Sequence, residues 1–124
     1  MHHLDLMMYT LERKFPAVIE LRRYEVGVID FYSDSSSYLI ESQENVKCVA
    51  LPLSMRREFF KGTSATNEKY IKPFLIWKKR LTFDLSTNYM VYYLGRIHNI
   101  KEIITVEDKY YYLDTCSVEG EVNE

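Results

Sequence analysis

Apolar and polar residues follow a helical spacing at the start of the chain and a strand-like spacing over most of the rest. In residues 4–15 the apolar positions recur at steps of three and four, which places them on one face of a short amphipathic helix. These positions are Leu4, Met7, Met8, Leu11 and Phe15. Pro16 predicts the end of the helix, because the residue before a proline avoids helical backbone angles. We therefore expect an N-terminal helical arm over residues 1–15.

The following third of the chain is divided into short runs rich in β-branched and aromatic residues, which is typical of strands. The predicted strands cover residues 17–25, 26–32, 38–40 and 45–53. Five small polar residues at 33–37 predict a loop, since their side chains compete for backbone hydrogen bonds. The run 45–53 is almost entirely apolar, which predicts a strand buried on both faces that stops, or lies at an edge, near Pro52.

The same pattern continues through the second half of the chain. Predicted strands cover residues 74–85, 89–94 and 110–115, and residues 96–106 form one bent strand or two strands. Isoleucine and valine are dense in this last segment, which favours strand over helix. A tight turn at 107–109 predicts that the final strand pairs back as a hairpin.

Seven or eight short strands and one short helix predict an all-β fold, either a small β-barrel or a sandwich. The length of 124 residues fits a single domain over residues 1–124. Within this domain we expect one long extended loop at 59–73 and a frayed acidic tail at 117–124.

Charge is distributed unevenly, although the net charge is only −2. Residues 56–80 hold eight of the 16 basic side chains and two acidic ones, whereas residues 1–55 and 81–124 are both acidic. Such asymmetry points to a charged partner, either nucleic acid or an acidic protein surface. The alternative is a solvated basic loop that acidic neighbours balance within the fold.

The basic segment is the candidate for contact with DNA. Its centre, residues 62–67, is small, polar and uncharged, which predicts an exposed and mobile loop. Cations around such a loop attract phosphate without sequence preference. The candidates for contact with DNA or a channel are Arg56, Arg57, Lys61, Lys69 and Lys72. An ordinary surface hairpin whose lysines meet the acidic tail is the alternative interpretation.

Catalytic and metal-binding motifs do not stand out in the sequence. The histidines are His2, His3 and His98, and we expect His98 to be a partly exposed strand residue. No phosphate-binding glycine loop and no metal-ligand spacing is present, so we expect neither an enzyme nor a cofactor or metal. Cys48 and Cys116 are predicted to be reduced and partly buried, while a disulfide between them remains open.

Hydropathy and aromatic content add two further expectations. No segment has the roughly 20 apolar residues needed to cross a bilayer, and residues 1–8 lack the pattern of a signal peptide, so we expect no membrane partner. The chain holds 11 tyrosines, which favour strands and contact surfaces.

One pattern in the C-terminal part carries a family resemblance. In residues 89–115 a strand ends at a glycine, leads through isoleucines and a polar turn, and is followed by a final apolar strand. The residues at the positions of this pattern are Gly95, Ile97, Ile100 and Val106. The pattern resembles the head-closure proteins of long-tailed bacteriophages, also called head–tail joining or stopper proteins. Residues 46–56 look like the middle strand of that family and the segment leading into its long loop. His98 and Asn99 depart from the pattern, which usually has an aromatic residue there.

The resemblance implies a viral structural protein of the virion neck, assembled in the host cytoplasm. It implies a small β-barrel with a long loop at 59–73 and a final hairpin at 92–115. Copies would form a homo-oligomeric ring, a dodecamer or a hexamer, that acts as a head–tail connector beneath the portal and adaptor proteins. This ring would hold the packaged double-stranded DNA in the head and offer a docking surface to the tail terminator or other tail proteins.

Two other functions stay open from the residues alone. One is a free-standing β-barrel that binds single-stranded nucleic acid through residues 56–80. The other is an accessory domain of a larger complex without nucleic-acid contact. Polarised charge and abundant tyrosine suit the ring, because adjacent subunits can present opposite charges and bury aromatic surface.

Overall fold

The protein, seen in a computed structural model, is described over residues 3–27, 36–59 and 71–117. The helices and strands in this part are α1 (His3–Lys14), β1 (Pro16–Gly27), β2 (Ser36–Ala50), a 3₁₀ helix (Leu53–Glu58), β3 (Ile71–Trp77), a 3₁₀ turn (Lys78–Arg80), β4 (Tyr89–Tyr93), β5 (Arg96–Val106) and β6 (Tyr110–Ser117). The predicted N-terminal helix is confirmed, and it ends before Pro16 as expected.

The strands form one closed antiparallel barrel in the order β1–β2–β3–β6–β5–β4, and β4 pairs back onto β1. The predicted all-β barrel with a short N-terminal helix is therefore confirmed. In this closed order the pair β3–β6 lies across the barrel from the pair β1–β4. We call these two sides the β3/β6 wall and the β1/β4 wall.

Alternate residues of the strands point into the barrel and form its core, because successive side chains of a strand point to opposite faces. This inner cluster includes Ala17, Ile19, Leu21, Val46, Cys48, Phe74, Ile76, Val91, Ile100, Tyr111 and Leu113. Each fully buried aliphatic side chain contributes about 1.5–3 kcal/mol to stability. The period-two pattern of the sequence therefore corresponds to a filled barrel interior.

The β3/β6 wall is buried on its outer face as well, because α1 lies across it. The outer cluster comprises Leu4, Met8, Leu11, Val49, Leu51, Leu75, Trp77, Tyr110 and Tyr112. The Trp77 indole nitrogen donates to Glu12 at 2.6 Å, and the Tyr110 hydroxyl donates to Asp5. Burial and the bond to Asp5 raise the pKa of Tyr110. Cover on both faces explains why these two strands are nearly continuous apolar runs.

The predicted strand at 74–85 is wrong beyond Trp77. The chain leaves β3 through the 3₁₀ turn and then runs without regular structure to β4. Leu81, Phe83 and Leu85 still pack against the inner cluster, and the Phe83 ring stacks on Tyr89 with centroids 4.5 Å apart. Their alternation therefore reflects a segment packed onto the barrel rather than a paired strand.

β2 is one strand of 15 residues where two short strands were expected. Ser36 and Ser37 belong to it, so the predicted loop at 33–37 is wrong for these two residues. The prediction of burial on both faces is confirmed at Cys48 and Val49, which are buried in the inner and the outer cluster, but it is wrong at Asn45 and Lys47, which are exposed.

β5 is a single strand with a bulge, in agreement with the prediction of one bent strand at 96–106. Its pairing with β6 shifts between Ile100 and Glu102, and a bulge of this kind bends a strand. Of the residues in the family pattern, Ile100 is buried in the barrel, while Ile97 and Val106 are half-buried.

The two hairpins of β4–β5 and β5–β6 have short turns with positive φ. Leu94 and Gly95 have φ of 49° and 76°, and Glu107 and Asp108 have φ of 49° and 58°. Such angles at both central residues are typical of type I′ turns, whose twist matches that of the strands. Gly95 therefore lies where a glycine is favoured.

Several predictions fall wholly or partly outside the described residues. The long loop expected at 59–73 does so for residues 60–70, and it is wrong at its end, because β3 begins at Ile71. The predicted strand at 26–32 is described only for its first two residues, which belong to β1. In the acidic tail only Ser117 is described, as the last residue of β6. Within the described ranges, no helix is long and apolar enough to span a membrane.

Candidate interaction surfaces

Arg56, a predicted DNA contact, is instead buried in the fold. It lies on the 3₁₀ helix after β2, and its guanidinium donates to both carboxylate oxygens of Asp114, at 2.6 Å from Nη2 and 3.1 Å from Nε. The Tyr112 hydroxyl donates to the same carboxylate at 2.5 Å, and burial raises the pKa of Tyr112. Arg56 is only 7% exposed. A phosphate cannot reach this guanidinium, so the prediction is wrong for Arg56.

The other four predicted contacts are not brought together in the described part of the chain. Lys72 is half-buried on β3, with its Nζ 5.8 Å from the centroid of the Tyr93 ring. Arg57 lies on the 3₁₀ helix, where its backbone alone is described. Lys61 and Lys69 lie outside the described residues. Contact of these four residues with DNA stays a prediction.

The end of the basic segment borders a groove of about 480 Å³ beside α1. Lys79 lies over Trp77 in this groove, with Nζ 4.2 Å from the ring centroid. Lys78 donates to Asp108 at 2.9 Å, and Lys109 donates to Asp5 at 3.3 Å. Rings beside cations can contact a nucleic acid, but two of these lysines already bind carboxylates. We call this site the Trp77 groove.

β1 and β2 extend beyond the barrel as a two-stranded ribbon. β1 pairs with β4 only over residues 20–23, whereas its pairing with β2 continues over residues 24–27. β2 pairs with β3 only at residues 49–50. We call residues 24–27 and 36–40 the ribbon. In the part of the chain that the structure describes, no third strand pairs with it.

The ribbon exposes three consecutive apolar side chains. Tyr38 is 50% exposed, Leu39 48% and Ile40 36%. Because successive side chains point to opposite faces, the ribbon is apolar on both faces. The Tyr38 hydroxyl donates to Glu25 across the ribbon at 3.1 Å. A two-stranded ribbon is marginally stable alone, and open strand edges are templates for pairing with another chain. This surface is therefore suited to contact with a partner protein.

Tyrosine and arginine side chains cluster at the base of the ribbon. The Arg22 guanidinium lies 4.3 Å from the Tyr92 ring centroid and donates to the Tyr24 hydroxyl at 3.1 Å. The Tyr89 hydroxyl donates to Glu41 at 2.5 Å, and burial raises the pKa of both Tyr89 and Tyr92. Tyr89 is buried in the inner cluster, whereas Arg22, Tyr24 and Tyr92 are half-buried beside the ribbon. Tyrosine and arginine are enriched at protein interfaces, so these three half-buried side chains are suited to extend the exposed surface of the ribbon.

The cysteines and His98 lie inside the fold. Cys48 and Cys116 are both buried, and no disulfide joins them. Burial raises the pKa of the Cys48 thiol to about 12. His98 is 6% exposed, so the prediction of partial exposure is wrong; its ring lies beside Phe74 and Tyr93 in the barrel. Among the described residues, no three histidine, cysteine or carboxylate side chains form a group that could hold a metal.

Comparison with known proteins identifies no relative, so a proposal for the function depends on the surfaces described above. No protein-family model matches the chain, and no curated protein matches it at a significant level.

Sequence reasoning missed two features, the buried pair of Arg56 and Asp114 and the ribbon. The sequence signal for the pair was Asp114, a carboxylate within the apolar run of β6, because a buried charge requires a partner of opposite charge. The ribbon had a weaker signal. Its strands lie outside the barrel and have no buried face, so apolar and polar residues do not alternate along them.

Proposed function

We propose that the chain is a structural subunit of an oligomeric ring at the neck of a long-tailed bacteriophage virion. The ring lies between the portal or adaptor and the tail, closes the DNA-filled head and provides the docking surface for the tail. The observation that carries this proposal is the ribbon, whose open edges and exposed Tyr38, Leu39 and Ile40 form a surface that another chain completes. The resemblance of residues 46–56 and 89–115 to head-closure proteins supports the neck as the location.

The barrel supports the same proposal as a rigid base for the ribbon. Its interior is filled by side chains, and α1 covers the β3/β6 wall. In the described part of the chain, the surfaces available for function therefore lie outside the barrel. This arrangement suits a subunit that works through contacts with its neighbours.

The mass and location of the assembled protein test this proposal. We expect native mass spectrometry to show an oligomer and electron microscopy of purified particles to show a ring with a central channel. A chain that is absent from particles, and that stays monomeric at high concentration alone and with portal components, would show that the proposal is wrong.

Variants of the ribbon test whether its exposed apolar side chains are needed for assembly. Leu39→Ser combined with Ile40→Ser removes exposed apolar surface, so we expect impaired head–tail joining with little change in thermal stability. Leu53→Ser is a matched control, because Leu53 is 39% exposed but lies on the 3₁₀ helix. Normal joining by the ribbon variant would remove the observation on which the proposal depends.

The proposed contact with packaged DNA has its own test. Replacing Lys61, Lys69 and Lys72 with glutamine removes three cations that would attract phosphate. We expect heads that leak DNA or fail to join tails, while thermal stability is nearly unchanged. Particles that form and retain DNA normally would limit this segment to a packing role.

A nucleic-acid-binding module is the second candidate function, and the Trp77 groove is the observation that favours it. Trp77 is 6% exposed and Lys79 lies over its ring, so the ring available for stacking with a base is the 44% exposed Tyr9, whose centroid lies 5.6 Å from that of Trp77. Titration of oligothymidine against Trp77 fluorescence tests this function. A monomeric chain that binds the oligonucleotide, with affinity lost in Lys79→Gln, would favour the module over the ring.

A further inference from the structure

The β1/β4 wall carries a second exposed apolar surface, on the side of the barrel opposite α1. A groove of about 370 Å³ opens there between β1, β2 and the turn that joins β4 to β5. Val18 is 53% exposed and Leu94 is 81% exposed, and both line the groove beside Tyr92. Glu20 and Glu44 also line it, and the Glu20 carboxylate accepts a hydrogen bond from the Arg22 guanidinium. The groove therefore combines apolar side chains with two carboxylates, and we call it the β1/β4 groove.

A bulge in β2 shapes this groove. The pairing of β1 with β2 shifts between Ile19 and Leu21, so that Glu44 and Asn45 together face Glu20 alone. Asn45 has φ of 56°, in the left-handed region that asparagine tolerates. A bulge bends its strand and increases the local twist, and both residues of this bulge on β2 line the groove.

Neither the backbone conformation nor the exposed side chain of Leu94 stabilises the subunit itself. It occupies a turn position with φ of 49°, where asparagine, aspartate or glycine are the favoured residues. A leucine in the left-handed region is strained, because its Cβ lies too close to the following carbonyl oxygen. At 81% exposure the side chain gains little from burial within the subunit. A contact with another chain explains both facts.

The outer face of α1 carries a matching surface. Leu6 is 53% exposed, Tyr9 is 44% exposed, and Arg13 is also exposed. Steps of three and four residues place these side chains on one face of the helix, largely opposite the stripe that packs on the β3/β6 wall. The Tyr9 ring also borders the Trp77 groove, 5.6 Å from the Trp77 ring. We call Leu6, Tyr9 and Arg13 the α1 outer stripe. It is apolar over its first turn and positively charged towards its C-terminal end.

We propose that the α1 outer stripe of one copy docks into the β1/β4 groove of a second copy of this chain. The apolar residues of the stripe meet Val18 and Leu94, and Arg13 meets Glu44. This inference rests on the proposed ring function and specifies how adjacent subunits contact each other.

Charge and geometry both point to a second copy as the occupant. The stripe ends in the cation of Arg13, and the groove holds the exposed carboxylate of Glu44, so the two surfaces are complementary in sign as well as apolar. The two surfaces also lie on opposite walls of the barrel. Two different patches on opposite sides of a subunit produce a head-to-tail contact, which closes into a ring when the rotation between subunits allows it.

Charge reversal tests the pairing of Arg13 with Glu44. Arg13→Glu and Glu44→Lys are each expected to weaken self-association about tenfold or more in sedimentation experiments. Both residues are exposed, so circular dichroism should show an unchanged fold. The double variant restores opposite charges, and we expect it to regain most of the native association. Lys101→Glu, an exposed reversal on β5, is the matched control and should associate as the native chain does.

A mixing experiment tests the head-to-tail geometry. One variant carries Leu6→Ser and Tyr9→Ser in the stripe, and the other carries Val18→Ser and Leu94→Asn in the groove. We expect each variant alone to be monomeric. Their mixture should form a one-to-one dimer, because one intact groove remains to bind one intact stripe. Variants that assemble individually as the native chain does, or a mixture that stays monomeric, would overturn the inference.

The failure of this inference can be distinguished from failure of the proposed function. Native rings that persist in all of these variants would overturn the docking of the stripe in the groove and leave the ring function standing. A native chain that is monomeric at its highest soluble concentration would overturn the docking. If that chain were also absent from particles, the ring function would fail with it.

Discussion

The β3/β6 wall and the ribbon are built from similar residues but differ in what covers them. The wall is buried on its inner face by the barrel core and on its outer face by α1. The ribbon has apolar side chains on both faces and leaves Tyr38, Leu39 and Ile40 at least 36% exposed. One region is therefore completed by its own chain, while the other offers the same kind of surface to a partner.

This difference shows that strand propensity and burial are separate properties of this chain. Both regions are rich in aromatic and β-branched residues, which favour strands in either setting. The elements that pack outside the barrel, α1 and the 3₁₀ helix after β2, determine which strands are buried on both faces. We expect substitutions in the wall to reduce stability, and substitutions in the ribbon to reduce assembly.

The largest loss of stability is expected at the buried pair of Arg56 and Asp114. Arg56→Met leaves the Asp114 carboxylate buried without its cation, so we expect a loss of about 3–5 kcal/mol in the free energy of unfolding. Urea denaturation measures this loss. Lys78→Met is the matched control, because it breaks the exposed pair with Asp108 and should cost far less stability than Arg56→Met. Equal losses in the two variants would contradict the assignment of Arg56 to the core.

Two leucines compare the wall and the ribbon directly. Leu75 is 1% exposed in the outer cluster, and Leu75→Ala should cost about 2–5 kcal/mol in denaturant unfolding. Leu39 is 48% exposed on the ribbon, and Leu39→Ala should change stability by about 0.5 kcal/mol or less. A Leu39 variant that is as unstable as the Leu75 variant would place the ribbon within the folding core.

Cys48 provides a comparison within β2 through its dependence on pH. Burial raises the thiol pKa from 9.0 to about 12, so the unfolded chain loses this proton first as the pH rises. The associated stability is fully present below pH 9 and is lost between pH 9 and 12, at about 1.4 kcal/mol per pH unit. We expect Cys48→Ala to remove this part of the slope in thermal melts. The control is Ser42→Cys, an exposed position on β2 where a thiol should add no slope and should react quickly with thiol reagents.

The effect expected at Leu94 is also small and has the opposite sign. Leu94→Asn places a residue that tolerates positive φ in the turn, so we expect a gain of up to about 1 kcal/mol in the free energy of unfolding. The same variant should weaken self-association, since it removes an apolar side chain from the β1/β4 groove. A loss of stability would show that Leu94 packs within its own subunit.

The barrel was predictable from the sequence because its inner face imposes a period of two. The predicted strand at 17–25 lies within β1, where Ile19 and Leu21 are buried in the inner cluster while Glu20 and Arg22 are half-buried. The same rule misassigned residues 81–85, whose alternating side chains pack on the core without strand pairing. Burial alone fixes such a pattern, whereas a strand also requires backbone partners that the pattern does not report.

The interaction surfaces were less predictable, because each depends on residues that are distant in the chain. Arg56 was counted among the exposed cations, and its partner Asp114 lies 58 residues away. The continuity of β2 was not predicted because residues 41–44, which follow the ribbon, are polar and are exposed or half-buried. Local composition identifies such residues as polar but does not determine what they face.

The continuity of β2 has a mechanical consequence. A strand of 15 residues is about 50 Å long at about 3.3 Å per residue, and it runs from the ribbon to the core residues Cys48 and Val49. Its hydrogen bonds to β1 lie perpendicular to the strand. A pull along β2 therefore loads these bonds together in shear, instead of one after another as in unzipping. A pulling force applied to the ribbon by a neighbouring molecule would be transmitted along β2 to the barrel. The ribbon could therefore bear this force while its hydrogen bonds to β1 stay intact.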